Sequence, residues 1–231
     1  MIKAILFDFN GVIIDDEKLQ MKAYQEALGA EGLQLTEEDY YSALGMDDVT
    51  FVRHAAALKG ANFSDQQLER IIERKSERHR NLIADDLPLF PGVETFAKAA
   101  SRHFKIGLVS MSRRADIAHV LARANLEKDF DCIISAEDVK ACKPDPDCYN
   151  RTFLCLDEQR RASGRTSISP DECLVIEDAP PGIEAGKAAG MHTLGVTNTV
   201  SEKELRAAGA DVVTRSLADW TVDAVRHVFD R

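Results

Sequence analysis

The sequence lacks any apolar run that approaches the ~20 residues of a membrane-spanning helix. It is also short of basic residues, with 29 Lys and Arg against 39 Asp and Glu, so that the formal net charge is −10. A surface of this sign repels polyanions. We therefore expect neither a membrane nor a nucleic-acid partner. No targeting segment precedes the first apolar residues, which favours a cytoplasmic protein.

The cysteines lack the paired C-x-x-C spacing, and the companion histidines, of a zinc site. There are five of them: Cys132, Cys142, Cys148, Cys155 and Cys173. An odd number without a framework, in a chain expected to be cytoplasmic, favours reduced thiols with a structural role.

The hydrophobic pattern divides the 231 residues into an α/β part and a helical part. An apolar run at 2–7 predicts a buried strand, and a helical periodicity replaces it from residue 16 to about residue 84. Beyond a proline-punctuated linker, strands and helices alternate. This predicts an α/β fold with a Rossmann-like parallel sheet at its core, helices on both faces and an inserted all-helical domain. The expected core is 1–15 with 88–231, and the expected insert is 16–87.

The later strands and helices are predicted from the same alternation. The strands are at 105–109, 132–135, 173–176, 192–196 and 211–213, and the helices at 93–101, 115–124, 147–156, 182–189 and 201–208. Residues 157–171 are predicted to form a polar loop.

Polar side chains collect where three of the predicted strands end, and ligands of parallel sheets bind at this edge. Two carboxylates from different strands can hold Mg²⁺, while a hydroxyl and a lysine can bind phosphate oxygens. A carboxylate at a strand tip can also attack phosphorus and form an aspartyl phosphate. The groups are Asp8 and Asn10, then Ser110 and Ser112 with Met111 between them, then Glu177 and Asp178, with Lys143 from a loop.

Four segments, in this order, resemble the motifs of the haloacid dehalogenase superfamily. They are D-F-N-G-V-I-I-D at 8–15, V-S-M-S at 109–112, K-P-D-P-D at 143–147 and V-I-E-D-A-P-P-G at 175–182. Their spacing and the helical insert resemble the branch with beta-phosphoglucomutase and phosphoglycolate phosphatase. The resemblance implies a Mg²⁺-dependent phosphatase with a helical cap that acts on a small phosphorylated metabolite.

The resemblance assigns the metal site to four residues. Asp8 is expected to be both the nucleophile and a metal ligand, and the backbone carbonyl of Asn10 is expected to be a second ligand. Asp178 would complete the site, with Glu177 beside it in support.

The resemblance also assigns the phosphate and substrate contacts. Ser110 and the amide of Met111 would bind the transferring phosphate. Lys143 would neutralise the phosphate together with the nucleophile. Ser112 and Arg113 are candidate substrate contacts.

Three positions depart from the family pattern. Phosphatases of the family carry a second aspartate where Asn10 stands, and an amide cannot exchange the proton that this aspartate supplies; losing such a group typically costs ~10²- to 10⁴-fold in rate. Asp16, at the start of the cap, is a nearby acid that could substitute. Gln20 replaces a histidine of the mutase motif, and the turn around Gly45 lacks the arginine that clamps a second phosphate.

Several functions therefore stay open. The first is a phosphatase slowed or altered by Asn10, and the second is a phosphate-binding or regulatory protein that has lost turnover. A sugar phosphomutase fits less well because of Gln20 and Gly45, and a response-regulator receiver needs no helical insert. Asn10-Gly11 is also a pair prone to deamidation. We expect a monomer or a weak homodimer.

Overall fold

The fold is built on one parallel sheet of six strands, seen in a computed structural model that describes residues 1–230. The strands are β1 (Ala4–Asp8), β2 (Lys105–Val109), β3 (Cys132–Ile134), β4 (Cys173–Glu177), β5 (His192–Val196) and β6 (Val212–Thr214). Their order is β3-β2-β1-β4-β5-β6, and every neighbouring pair is parallel. Strand β1 lies inside the sheet and is buried on both faces, which explains its continuous apolar run. The predicted fold class is confirmed.

Helices cover both faces of this sheet, because side chains of successive strand residues point to opposite faces. The helices after β1 and the insert are α5 (Val93–Ala100), α6 (Arg114–Ala124), α7 (Asp147–Ala162), α8 (Pro180–Ala188), α9 (Glu202–Ala207) and α10 (Val222–Phe229). Ile5 and Phe7 join the apolar cluster that contains residues of α5, α6 and α10. Ala4 and Leu6 join the opposite cluster with residues of α7 and α8.

The helical insert follows β1 and has an apolar cluster of its own, which includes Leu28, Phe51 and Ile71. Its chain leaves and re-enters the core at one place, where Ile14 forms a bridge with Leu89. The insert's helices are α1 (Glu17–Gly29), α2 (Glu37–Tyr41), α3 (Asp48–Leu58) and α4 (Asp65–Leu82). The division of the chain into domains at residues 15/16 and 87/88 stays a prediction.

The predicted polar loop at 157–171 is wrong for its first part, because α7 continues to Ala162. Asp157 pairs with Arg161 one turn later, at 2.9 Å, and also accepts the backbone N–H of Ile168 at 2.9 Å. The charged residues of this segment predicted a loop. In the structure they extend α7, and Asp157 holds the segment that follows the helix. Helix α10 was not predicted either.

The expectation of five free thiols is also wrong. Cys132 and Cys155 form a disulfide, whereas Cys142, Cys148 and Cys173 are free. The partners are 23 residues apart in the sequence and meet because α7 packs across β3, a contact that cysteine spacing does not reveal. None of the helices within residues 1–230 has the length and apolarity needed to cross a bilayer.

The turn that returns the chain to the core depends on Gly92. Its φ is +82°, and a Cβ there would lie 2.3 Å from the backbone Cα of Ala218. Gly164 has a similar φ of +76°, but nothing lies within 4 Å of the place where its Cβ would be. Both positions therefore require a left-handed backbone, but only Gly92 packs against a neighbouring backbone.

We predict that Gly92→Ala lowers the free energy of unfolding by about 3 kcal/mol or more, because it adds a backbone clash to the left-handed strain of ~1 to 2 kcal/mol. Gly164→Ala should lower the free energy of unfolding only by the left-handed backbone strain of ~1 to 2 kcal/mol. Chemical denaturation of the two variants beside the unmodified protein measures both losses. Equal losses would contradict the assigned packing of Gly92 against Ala218.

Candidate active site

Three carboxylates meet where β1 and β4 end side by side. Asp8 is the last residue of β1, Glu177 is the last of β4, and Asp178 follows directly. All three are buried, with exposed fractions of 8%, 1% and 3%. One oxygen from each lies within 4.8 Å of the others. Adjacent parallel strands thus bring together acids that are about 170 positions apart in the chain.

Lys143 connects two of these acids. Its Nζ donates to Asp8 Oδ1 and to Glu177 Oε1, at 2.5 Å each. The hydroxyl of Tyr149 donates to the same Glu177 oxygen at 2.8 Å, and the ring centre of Tyr149 lies 5.3 Å from the ammonium. The ammonium is therefore held beside the tip of β1.

The carboxylates carry more negative charge than one lysine can balance. Burial and the charge of Glu177 raise the pKa of Asp8 to about 7, against the opposing effect of Lys143. Burial and both neighbouring carboxylates raise the pKa of Asp178 well above its ordinary value. Burial acts to lower the pKa of Lys143, but the charges of Asp8 and Glu177 outweigh it and raise that pKa. A site of this composition favours an added cation.

The turn after β1 brings its backbone close to the Asp178 carboxylate. Gly11, with φ +79°, forms the turn after β1, and a Cβ there would lie 1.9 Å from Asp178 Oδ2. The side chain of Asn198 holds this turn by donating to the Gly11 carbonyl at 2.7 Å. Hard cations such as Mg²⁺ take oxygen ligands of this kind.

The end of β2 supplies the serines on the other side of Asp8. Ser112 Oγ donates to Asn10 Oδ1 at 2.7 Å, and its backbone N–H donates to Ser110 Oγ at 3.0 Å. Met111, between them, is buried and lines the same cavity. These contacts fix the carbonyl end of the Asn10 side chain.

The amide end of Asn10 is fixed by an acid from the insert. Its Nδ2 donates to both carboxylate oxygens of Asp16, at 3.0 Å each. Asp16 is fully buried; its Oδ2 also accepts from Gln20 Nε2 at 2.9 Å and lies 2.7 Å from His79 Nε2. The Asp16 carboxylate thus accepts from the side-chain amides of Asn10 and Gln20. An amide at position 10 can donate to this carboxylate, whereas an ionised acid cannot.

The structure brings most of the predicted site residues to one cavity, but not all. Gln20, Gly45 and Ser112 line it with the strand-tip groups. Asp16 lies behind Asn10 and does not line the cavity, so the idea that it directly replaces the missing acid is not supported. Arg113 lies in a separate groove with Glu73.

Several lining residues from the insert were missed by the sequence analysis. They are Glu17, Tyr24, Tyr40, Asp48, Phe51 and Lys75. Helical periodicity indicates which residues share a face of a helix, but it does not indicate what that face meets. No sequence signal separated these residues from ordinary residues of an amphipathic helix.

The family that these features suggested is confirmed by comparison with known proteins. A family profile described as haloacid dehalogenase-like hydrolase matches residues 2–190. The chain belongs to the haloacid dehalogenase-like hydrolases.

The relatives of this haloacid dehalogenase-like hydrolase include enzymes of sugar phosphates. It is 29% identical to the phosphorylated carbohydrates phosphatase of Thermotoga maritima, over 90% of this chain and 92% of that protein. It is 31% identical to the fructose-1-phosphate phosphatase YqaB of Escherichia coli, over 83% and 95%. The fold is similar to a beta-phosphoglucomutase from Clostridium difficile, with a TM-score of 0.85, 25% identity and coverage of 100% and 98%.

The pairing of Asn10 with Asp16 predicts a coupled response to substitution. Asn10→Asp would remove both donors and bring two carboxylates to about 3 Å, which we expect to cost about 2 to 4 kcal/mol of stability. Asp16→Asn alone should cost less. The double variant Asn10→Asp/Asp16→Asn again places an amide beside an acid. Its loss of unfolding free energy should therefore be smaller than the sum of the two single losses by at least about 1 kcal/mol. Chemical denaturation of the four proteins measures this cycle, and strictly additive losses would contradict the pairing.

The raised pKa of Asp8 predicts how stability depends on pH and cations. Because the folded state keeps this proton between pH 3.8 and about 7, where the unfolded chain releases it, the free energy of unfolding in EDTA should fall as the pH rises through that range. Mg²⁺ should raise the melting temperature by about 5 °C or more at about pH 8, and less at about pH 5. Thermal melts test both, and Asp178→Asn should reduce the Mg²⁺ response. A response to Mg²⁺ that is the same at both pH values would contradict this assignment.

Proposed function

We propose that this protein is a Mg²⁺-dependent phosphatase that acts on a small phosphorylated metabolite through an aspartyl phosphate on Asp8. The observation that carries the proposal is the position of Lys143, whose ammonium lies 2.5 Å from both Asp8 and Glu177 beside Asp178. A lysine between buried acids can neutralise an incoming phosphate next to the nucleophile. The sugar-phosphate phosphatases among the relatives support the same class of substrate.

Asp8, Asp178 and the backbone carbonyl of Asn10 would hold the metal, with Glu177 in support. A bound Mg²⁺ would supply positive charge to the carboxylates and to the phosphate oxygens. We place the phosphate against Ser110, the Met111 amide and Lys143.

The reaction needs two displacements at phosphorus. The carboxylate of Asp8 attacks, a P–O bond to Asp8 forms, and the bond to the leaving alcohol breaks. Water then attacks the same phosphorus, the bond to Asp8 breaks with release of its carboxylate, and the inorganic phosphate that leaves carries the protons of that water. Lys143 stays protonated throughout and offsets the charge at Asp8.

Asn10 changes how protons move in these steps. Its amide is engaged by Asp16 and its carbonyl by Ser112, and neither end can give up or take a proton. The leaving oxygen must therefore take its proton from water or from the substrate, which slows substrates whose leaving group is an alkoxide of high pKa. We propose turnover that is slow by the standard of the family.

We propose that residues 16–87 act as a cap that closes over the substrate. Residues of this segment line the cavity opposite the strand tips. Closure would exclude bulk water and leave room only for a small leaving group. A cytoplasmic location and a monomer or weak homodimer stay predictions from the sequence.

The second candidate is a phosphate-binding or regulatory protein without turnover. The observation that favours it is the same Asn10, because the amide is held in place and fills the position of an acid-base group. A phosphomutase is less well supported, since no arginine lines the cavity among residues 1–230.

The deciding measurement is phosphate release from a panel of sugar monophosphates and acetyl phosphate. We expect Mg²⁺-dependent release by the unmodified protein, loss in EDTA, and a fall of at least about 10³-fold in Asp8→Asn. Asp15→Asn is the matched control, because it removes the same charge from an exposed side chain nearby. Release that survives Asp8→Asn would contradict the role of Asp8.

The same panel separates the two candidates. No release by the unmodified protein, with release by Asn10→Asp/Asp16→Asn, would favour the phosphate-binding protein. Release by the unmodified protein, with acetyl phosphate favoured by its good leaving group, would favour the slow phosphatase.

A further inference from the structure

The Glu177 carboxylate is enclosed by four hydrogen-bond donors of the protein. Its Oε1 accepts from Lys143 Nζ at 2.5 Å and from the Tyr149 hydroxyl at 2.8 Å. Its Oε2 accepts from the backbone N–H groups of Asp178, at 3.0 Å, and of Ala179, at 3.3 Å. Glu177 is only 1% exposed, so these donors, rather than water, set the orientation of its carboxylate.

The start of α8 also fixes this carboxylate. Gly182 lies beside it, and a Cβ on Gly182 would be 1.7 Å from Glu177 Oε1. The carboxylate therefore fills the space that a side chain would take at position 182. Because backbone groups hold its other oxygen, a change at Oε1 affects chiefly the two side chains that donate there, Lys143 and Tyr149.

Lys143 divides its ammonium between two carboxylates. Its Nζ lies 2.5 Å from Asp8 Oδ1 and 2.5 Å from Glu177 Oε1. An ammonium has three donors, so one is left for a phosphate that binds beside Asp8. A stronger hold by Glu177 would draw the ammonium away from Asp8 and from that phosphate. The charge on Glu177 Oε1 therefore controls where the ammonium is directed.

The Tyr149 hydroxyl acts on this same oxygen. By donating to Glu177 Oε1 beside Lys143, it offsets part of the negative charge that would otherwise attract the ammonium alone. Tyr149 lies in the first turn of α7 and is fully buried. It does not line the cavity, so it would act on the reaction only through Glu177 and Lys143.

Packing alone does not account for a tyrosine at this position. The Tyr149 ring belongs to the apolar cluster on this face of the sheet, and its centre lies 5.3 Å from the Lys143 ammonium. A phenylalanine would fill the same space and keep the cation–π contact. A buried hydroxyl is costly unless it finds an acceptor. What tyrosine adds over phenylalanine is therefore the hydrogen bond to Glu177.

We infer that Tyr149 is a positioning residue of the phosphate site: its hydroxyl weakens the hold of Glu177 on Lys143, so that the ammonium stays directed at Asp8 and at the bound phosphate. The inference rests on the proposed function and adds to it a residue outside the cavity. Without the hydroxyl, Lys143 moves toward Glu177. Phosphate then loses a donor, whereas Mg²⁺ meets an Asp8 carboxylate that is less neutralised.

The test measures these two ligands by titration calorimetry on the unmodified protein and on Tyr149→Phe. Mg²⁺ is titrated alone, and inorganic phosphate is titrated at saturating Mg²⁺. We expect the dissociation constant of phosphate to rise at least about fivefold and that of Mg²⁺ to fall at least about twofold. A general loosening of the site would weaken both ligands, so a merely structural role of Tyr149 does not produce opposite changes.

Thr152→Val is the matched control. Thr152 lies in the same helix and is equally buried, but its hydroxyl donates to the Cys148 carbonyl at 2.9 Å. Its removal should leave both dissociation constants as they are in the unmodified protein. A second background tests the route of the effect: in Glu177→Gln, which lacks the charge on which Tyr149 acts, adding Tyr149→Phe should change the phosphate constant by less than about twofold.

The outcomes separate this inference from the proposed function. Constants that stay unchanged in Tyr149→Phe, or that do not move in opposite directions, would overturn the inference and leave the phosphatase standing. The same shifts in Thr152→Val, or an undiminished effect of Tyr149→Phe in the Glu177→Gln background, would overturn it as well. Binding of neither Mg²⁺ nor phosphate to the unmodified protein would overturn both proposals.

Discussion

The ion pairs of Lys143 with Asp8 and Glu177 are the interaction on which the rest of the site depends. They join the tips of two adjacent strands to a loop that lies far from both in the sequence. Three buried carboxylates would otherwise repel one another, and one ammonium offsets only part of that charge. Burial and the charge of Glu177 raise the pKa of Asp8, so this edge of the sheet favours an added cation.

Asn10 is part of a network that joins the core to the insert. Ser112 binds one end of its side chain and Asp16 binds the other, and Gln20 and His79 surround Asp16. In this network the acid at position 16 accepts from the amide at position 10. The asparagine at position 10 is therefore matched by its surroundings, since both ends of its side chain are hydrogen-bonded.

The cavity combines two kinds of surface. The strand tips are suited to a phosphate and a cation, since they carry acids, a lysine and hydroxyls. The wall from the insert has aromatic rings, those of Tyr24, Tyr40 and Phe51, together with the ion pair of Asp48 and Lys75. The cavity is therefore lined by groups from the core on one side and by groups from the insert on the other.

The sequence by itself determined the parallel sheet and the residues at its edge. Apolar runs that end in Asp8, Ser110 and Glu177 predict buried strands with polar tips, because local periodicity and strand burial are properties of short segments. It did not determine the contacts of Asp16 with His79, the orientation of Asp48, or the pairing of Cys132 with Cys155. Those contacts depend on how the helices pack against one another and against the sheet. The sequence of a helix indicates which residues share a face, but it does not indicate which element that face contacts. Only the tertiary structure decided which groups face the cavity and which are buried behind it.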